Sequence, residues 1–164
     1  MADDSAGAFG RFAGSLPGPA LIVTAADGAV RQGCLVGFAT QASIDPPRLL
    51  VCLSVANATF DVAVRSGRLG VHVVPADRPD LAELFGGETG DEVDKFARVA
   101  WREGDGGEPL LVECRTRLSG RTLTRVPFGD HVGFLLEPVA VWAALSGDAL
   151  DIRRAASIDP GHAP

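Results

Sequence analysis

Residues 19–54 read PALIVTAADGAVRQGCLVGFATQASIDPPRLLVCLS. An apolar run leads to Asp27-Gly28, and a second strand-like run follows. Asp-Gly between two such runs is a hairpin signal, because tight hairpin turns need the positive φ that these residues tolerate. Two adjacent prolines, Pro46 and Pro47, then separate the polar run at 40–43 from a third strand, RLLVCLS. Proline fixes φ and biases the residue before it toward extended geometry, so Asp45 is held out of the helical region. The pair therefore sets a rigid corner between two strands, at a place where no interior ladder needs its missing N–H.

The flanking chain continues the pattern. SAGAFGRFAG (5–14) predicts a short helix weakened by glycine, with Phe9 and Phe12 on one face. NATFDVAVRSG predicts a second, capped by Asn57 or Thr59 and stopped by Gly67. After the strand RLGVHVVP, ADRPDLAELFGG predicts a third helix, with Asp77 as its cap and Leu81, Leu84 and Phe85 on one face. The acidic, glycine-rich stretch that follows reads as a loop with a short helical piece around 91–97. LLVECRTRLSGRTLTRV and GDHVGFLLEPVAVWAAL read as long strands, and the tail 146–164 as irregular. At least six strands joined by connections too short for βαβ crossovers predict a mainly β, antiparallel barrel with short flanking helices. The 164 residues suit one domain, with a core over about 8–145.

Charge and composition exclude several classes. The net charge is −6, Lys95 is the only lysine and the arginines are scattered, so nucleic acid and anionic membranes are poor partners. No apolar run reaches the length of a membrane span, and the N-terminus carries no signal-peptide pattern. Cys34, Cys52 and Cys114 lie in apolar segments without CxxC spacing, which predicts reduced, buried thiols and a cytoplasmic protein. His72, His131 and His162 form no metal-ligand cluster, and Glu88, Asp91, Glu92 and Asp94 do not match a calcium loop; no metal is expected. No GxSxG elbow, GxGxxG fingerprint or P-loop occurs.

Two segments could carry chemistry. In the first, Gly37 and Ala39 leave room for a flat ring against the backbone, and Thr40, Gln41 and Ser43 offer polar groups. Asn57 and Thr59 then stand at a helix N-terminus, which gathers N–H donors and favours an anion such as phosphate. The plainer alternative is turn chemistry and a helix cap. The second segment is FGDH (128–131), where His131 enters a long strand through a polar turn. His72, within VHVV, reads as a core residue instead.

GCLVGFATQASIDPPRLLVCLS, NATF, LAELFGGETGDEVDKFA with Trp101, and GDHVGFLLEPV, in that order, resemble the flavin reductase-like domain family over about residues 8–142. The resemblance implies an FMN-binding split β-barrel of Greek-key, antiparallel type, and a homodimer. It implies FMN, with FAD as an alternative, held by Gly37, Phe38, Ala39, Thr40, Gln41 and Ser43, with Ser54, Asn57, Ala58 and Thr59 at the ribityl or phosphate end. Phe85, Lys95 and Phe96 match a stretch that closes over the flavin. Gly129, Asp130 and His131 match the family's GDH motif beside the nicotinamide, with His131 as the catalytic candidate. The implied reaction is hydride transfer from NADH or NADPH to flavin, with a flavin-dependent monooxygenase as the implied partner. The other class is a flavin- or deazaflavin-binding split-barrel protein without reductase turnover. The chain departs from the family pattern at Leu35, Gly37 and Phe38, where many members carry polar side chains.

Overall fold

A computed structural model describes residues 5–88, 92–144 and 147–159. The first strands are β1 (Leu21–Asp27), β2 (Val30–Val36), β3 (Ala39–Ser43) and β4 (Arg48–Ser54), with helix α1 (Ser5–Ser15) before them. Helix α2 (Ala58–Ser66), strand β5 (Arg68–Val73) and helix α3 (Pro79–Gly87) follow. The chain continues through β6 (Trp101–Glu103), β7 (Pro109–Leu111), β8 (Arg117–Pro127) and β9 (His131–Trp142).

Seven strands form one antiparallel sheet in the order β2-β1-β5-β8-β9-β4-β3. Its two edge strands, β2 and β3, are consecutive in the chain and joined only through Gly37 and Phe38. A sheet whose far edges are that close must curl on itself, which gives a barrel left open at one seam. The Asp27-Gly28 hairpin forms as predicted, with Gly28 at φ 60°. Pro46 and Pro47 lie between the paired residues Ser43 and Arg48, outside the ladder, and the Asp45–Pro46 peptide is cis.

Strand β1 is buried on both faces. Leu21, Val23 and Ala25 point into the barrel with Leu53, Leu69, Phe134 and Leu136, and Val62 and Ala63 of α2 close that core. Ile22 faces a second core built from Leu81 and Phe85 of α3 with Phe96, Leu111 and Leu150. This two-sided burial explains the unbroken apolar run from 20 to 23. Helix α2 begins at Asn57, whose side chain accepts from the Thr59 N–H, and ends at Gly67 with φ 64°.

Three expectations are corrected. Asp77 does not cap α3; the cap position is Arg78, without a side-chain hydrogen bond, and Pro79 supplies the helical φ at the first turn. The loop after α3 holds its short helical piece as a 3-10 turn (Lys95–Arg98), but it also contains an unexpected two-stranded ribbon, β6 with β7. LLVECRTRLSGRTLTRV is two strands, broken at 112–116, where the Arg117 guanidinium donates to the Leu111 and Cys114 carbonyls. Those bonds satisfy backbone groups freed by the break. The ribbon is tied to the barrel by His72, whose Nδ1 donates to the Ile22 carbonyl and whose Nε2 accepts from the Leu111 N–H. Burial pushes this imidazole down to about 4, so it is neutral.

The acidic residues after α3 act locally: Glu88 pairs with Arg98, and Asp94 caps the 3-10 turn. Asp91 and His162 lie outside the described residues. Among the described residues no helix is long and apolar enough to cross a membrane.

Candidate functional site

The register of β4 against β9 assembles the site. Ser54 at the end of β4 sits opposite His131 at the start of β9, and the Val55 N–H donates to the Asp130 carbonyl at 3.0 Å. The same strand end leads into the α2 cap, so Ser54, Asn57 and His131 converge. From the other side, the seam residues Gly37 and Phe38 approach β4, with the Cys52 N–H donating to the Phe38 carbonyl at 2.9 Å.

These elements enclose a cavity of about 300 Å³, lined by Gly37, Phe38, Ser54, Asn57, Phe85 and His131 among the residues predicted from sequence. Its floor is apolar, with Val36 and Leu53 buried. Phe38, 62% exposed, stands at the rim, its ring centroid 5.0 Å from that of His131. His131 Nδ1 is 2.9 Å from the Asp130 carboxylate, and this contact holds the carboxylate below its usual range. Cys34 also lines the cavity, but burial pushes its thiol up to about 11, so it presents neutral sulfur and no nucleophile.

Other predicted residues lie elsewhere. Thr40 and Gln41 are exposed on edge strand β3 and bond locally to the Gln41 and Ser43 carbonyls, so the structure does not bring the polar run to this cavity. Ala39 packs against the barrel core, and Ala58 and Thr59 lie in the first turn of α2, Thr59 fully buried. Gly129, at φ 117°, shapes the turn that presents Asp130 and His131.

Lys95 and Phe96 line a separate hollow with residues 29–32 and 92–94. The Lys95 ammonium, 4% exposed, donates to the carbonyls of Gly33 (3.1 Å) and Phe85 (3.2 Å). The second acceptor is in the last turn of α3, where carbonyls lack helical partners and a cation is favoured. Burial lowers this ammonium's pKa, while Cys34 and Glu88 act in the opposite direction. Lys95 therefore binds α3 to β2 and sets where Phe85 meets the cavity.

Sequence reading missed Gly86, Ala155, Ala156 and Ile158, which also line the cavity. Gly86 falls in the predicted third helix, where a glycine carries no binding signal, and the signal at 155–158 is weak: small or aliphatic residues in a stretch with no strand or helix period.

The profile of the flavin reductase like domain matches residues 13–156. The chain belongs to the flavin reductase-like domain family. Within it, the chain is 30% identical over 129 residues to the FMN reductase (NADH) RutF of Stutzerimonas stutzeri, covering 79% of this chain and 74% of that protein. It is 32% identical over 120 residues to the FMN reductase (NADH) RutF of Methylorubrum populi, covering 73% of this chain but 59% of that protein. An FMN-binding protein from Thermus thermophilus, crystallised with 1-cyclohex-2-enone, superposes with a TM-score of 0.73 at 28% identity, over 78% of this chain and 71% of that one. The NADH:FAD oxidoreductase of Streptomyces globisporus superposes with a TM-score of 0.82 at 22% identity, over 91% of this chain and 89% of that one, and so shares the fold. The split barrel expected of a flavin reductase-like domain is the fold found.

The lining fits a flavin in most respects. An apolar floor and the aromatic Phe38 suit a ring system, and Ser54 and Asn57 offer polar groups beside the start of α2. The anion end is less developed. Among the described residues, no lysine or arginine lines the cavity. The N–H groups of Ala56 and Thr59 are already taken by the Ser54 and Asn57 side chains. A phosphate would have to compete with that cap.

Proposed function

We propose that this chain is an NADH-dependent flavin reductase that takes FMN, or FAD, as an exchanging substrate. The observation that carries this reading is His131, presented by the GDH turn at the rim of a cavity where Phe38, Ser54 and Asn57 also converge. The names of the relatives in Stutzerimonas and Methylorubrum support it.

FMN, when bound, supplies the redox chemistry that accepts the electrons of NADH. The protein's part is placement. Val36 and Leu53 exclude water from the floor, Phe38 and His131 flank the open side, and Asp130 fixes the His131 ring. Stacking and alignment, not a tuned acid or base, set the rate in such a site. Among the described residues the lining holds no lysine or arginine, which favours weak flavin binding and release of reduced flavin, which a flavin-dependent monooxygenase could consume. The relatives named as NADH-dependent favour NADH over NADPH, and Arg121 is engaged by Glu137.

The finer expectations belong here as well. A homodimer is supported by exposed apolar side chains: Phe9 and Phe12 on α1, Val126 and Phe128 at the end of β8, and Val139 and Val141 on β9. The reduced state of all three cysteines suits the cytoplasm.

The test is a flavin-fluorescence titration, followed by NADH consumption with free FMN in excess. Saturable FMN binding with turnover supports the reading. FMN binding with no NADH consumption supports the non-reductase class instead.

A further inference from the structure

The C-terminal stretch, expected to be irregular, is built into the barrel. Its first part threads between the start of β1 and the end of β5. The Ala20 N–H donates to the Leu150 carbonyl (2.7 Å), and Leu150 and Ile152 donate to the Val74 and Gly18 carbonyls (both 2.8 Å). Leu150 is 2% exposed. The chain then makes a 3-10 turn (Ile152–Ala155), capped by the Asp151 carboxylate, and crosses the cavity, which Ala155, Ala156 and Ile158 line.

Two close approaches fix this crossing. A Cβ on Gly37 would lie 2.7 Å from Ile152 Cγ1, and a Cβ on Gly87 would lie 3.3 Å from Ile158 Cγ2. The space beside Gly37, which sequence reading assigns to a flat ring, is filled by Ile152. Beyond residue 152, the backbone donors Arg154, Ala156 and Ile158 bond to carbonyls of the segment itself. Apolar packing therefore holds this part against the cavity, while the ladder at 150–152 anchors its root.

We propose that residues 150–158 form a strap that serves as one wall of the flavin site, with Ile158 and Ala156 touching the bound flavin and Ile152, seated on Gly37, positioning them. This rests on the reading of the cavity as a flavin site. Filling the cavity ties down the side of the strap that faces it. Arg153 and Arg154, both exposed on the strap, then become harder for a protease to reach.

Limited trypsin digestion of the intact wild-type chain, with and without saturating FMN, tests this without any substitution. The fragment ending at Arg153 or Arg154 is expected to appear about tenfold more slowly with FMN, the effect of a site opened mainly in the unliganded state. Ile158→Ala is expected to raise the FMN dissociation constant about tenfold, equivalent to about 1.4 kcal/mol. Gly37→Ala is expected to weaken FMN binding by displacing Ile152. Adding Ile152→Ala should then return affinity to that of Ile152→Ala alone, within about a factor of two. A Gly37→Ala defect that Ile152→Ala does not relieve would mean that Gly37 faces the flavin itself, and would overturn the role of Ile152. FMN binding with unchanged cleavage and an unchanged Ile158→Ala constant overturns the strap alone. Failure of the wild-type chain to bind FMN overturns both the strap and the proposed function.

Discussion

His131 Nδ1 lies 2.9 Å from the Asp130 carboxylate, so the imidazole is oriented by the residue beside it in sequence. The ring is thereby turned toward Phe38 at the cavity rim. On the proposed reading, a residue held this way at the open side binds and aligns the incoming nicotinamide. His131→Ala is expected to raise the KM for NADH by roughly tenfold while the FMN dissociation constant stays nearly unchanged. Steady-state kinetics and FMN titration of the same preparation check it. An equal loss of FMN binding would contradict the role.

Phe38 is mostly exposed, and its ring meets that of His131. Phe38→Ala should therefore leave thermal stability unchanged and raise the NADH KM. The two residues form one rim, so their effects should not add: the Phe38→Ala/His131→Ala double variant should lose roughly as much as the worse single variant. Fully additive losses would show that the two act independently.

His72 makes stability depend on pH. Its imidazole titrates near 6.5 in the unfolded chain and about 4 in the folded one, because burial disfavours the charged ring and the Arg117 charge adds to this, while the hydrogen bond donated to Ile22 acts in the opposite direction. The unfolded state thus binds the proton first. The stabilisation is complete above about pH 6.5 and is lost as pH falls toward 4, by about 3 kcal/mol in all. Urea midpoints across that window should fall for the wild-type chain. His72→Gln should be less stable near neutrality but show a flatter profile. Parallel profiles would exclude His72 as the cause.

Lys95 separates a binding role from a structural one. Its ammonium donates to two backbone carbonyls and lines a different hollow from His131. Lys95→Met leaves those carbonyls without a donor and should cost about 1–3 kcal/mol of stability. FMN affinity should change by less than about threefold, through a small shift of Phe85. A large loss of FMN affinity at unchanged stability would mean that the ammonium reaches the flavin.

The barrel was legible in sequence because its signals are local. Asp27-Gly28 marks a hairpin, Asn57 and Gly67 bracket α2, and Pro46-Pro47 marks a corner. Ser54, Asn57 and His131 were also legible, since the motifs containing them border strand ends that the register brings together. Thr40, Gln41 and Ser43 were harder to place, because a short edge strand can turn its polar face to the cavity or away from it. The ribbon of β6 and β7 was hidden by its glycine-rich loop, and its attachment depends on His72, far away in sequence. The strap was invisible for a similar reason. Ile152 and Ile158 find their places through Gly37, Gly86 and Gly87, contacts that no local period encodes.

The most direct measurement mixes the protein with FMN and NADH under anaerobic conditions and follows the oxidised-flavin absorbance. The account predicts bleaching at a rate that saturates with NADH, far above that of FMN and NADH alone, and strongly reduced at low NADH for His131→Ala. Bound FMN that stays oxidised at saturating NADH would contradict the assignment of this cavity as a reductase site.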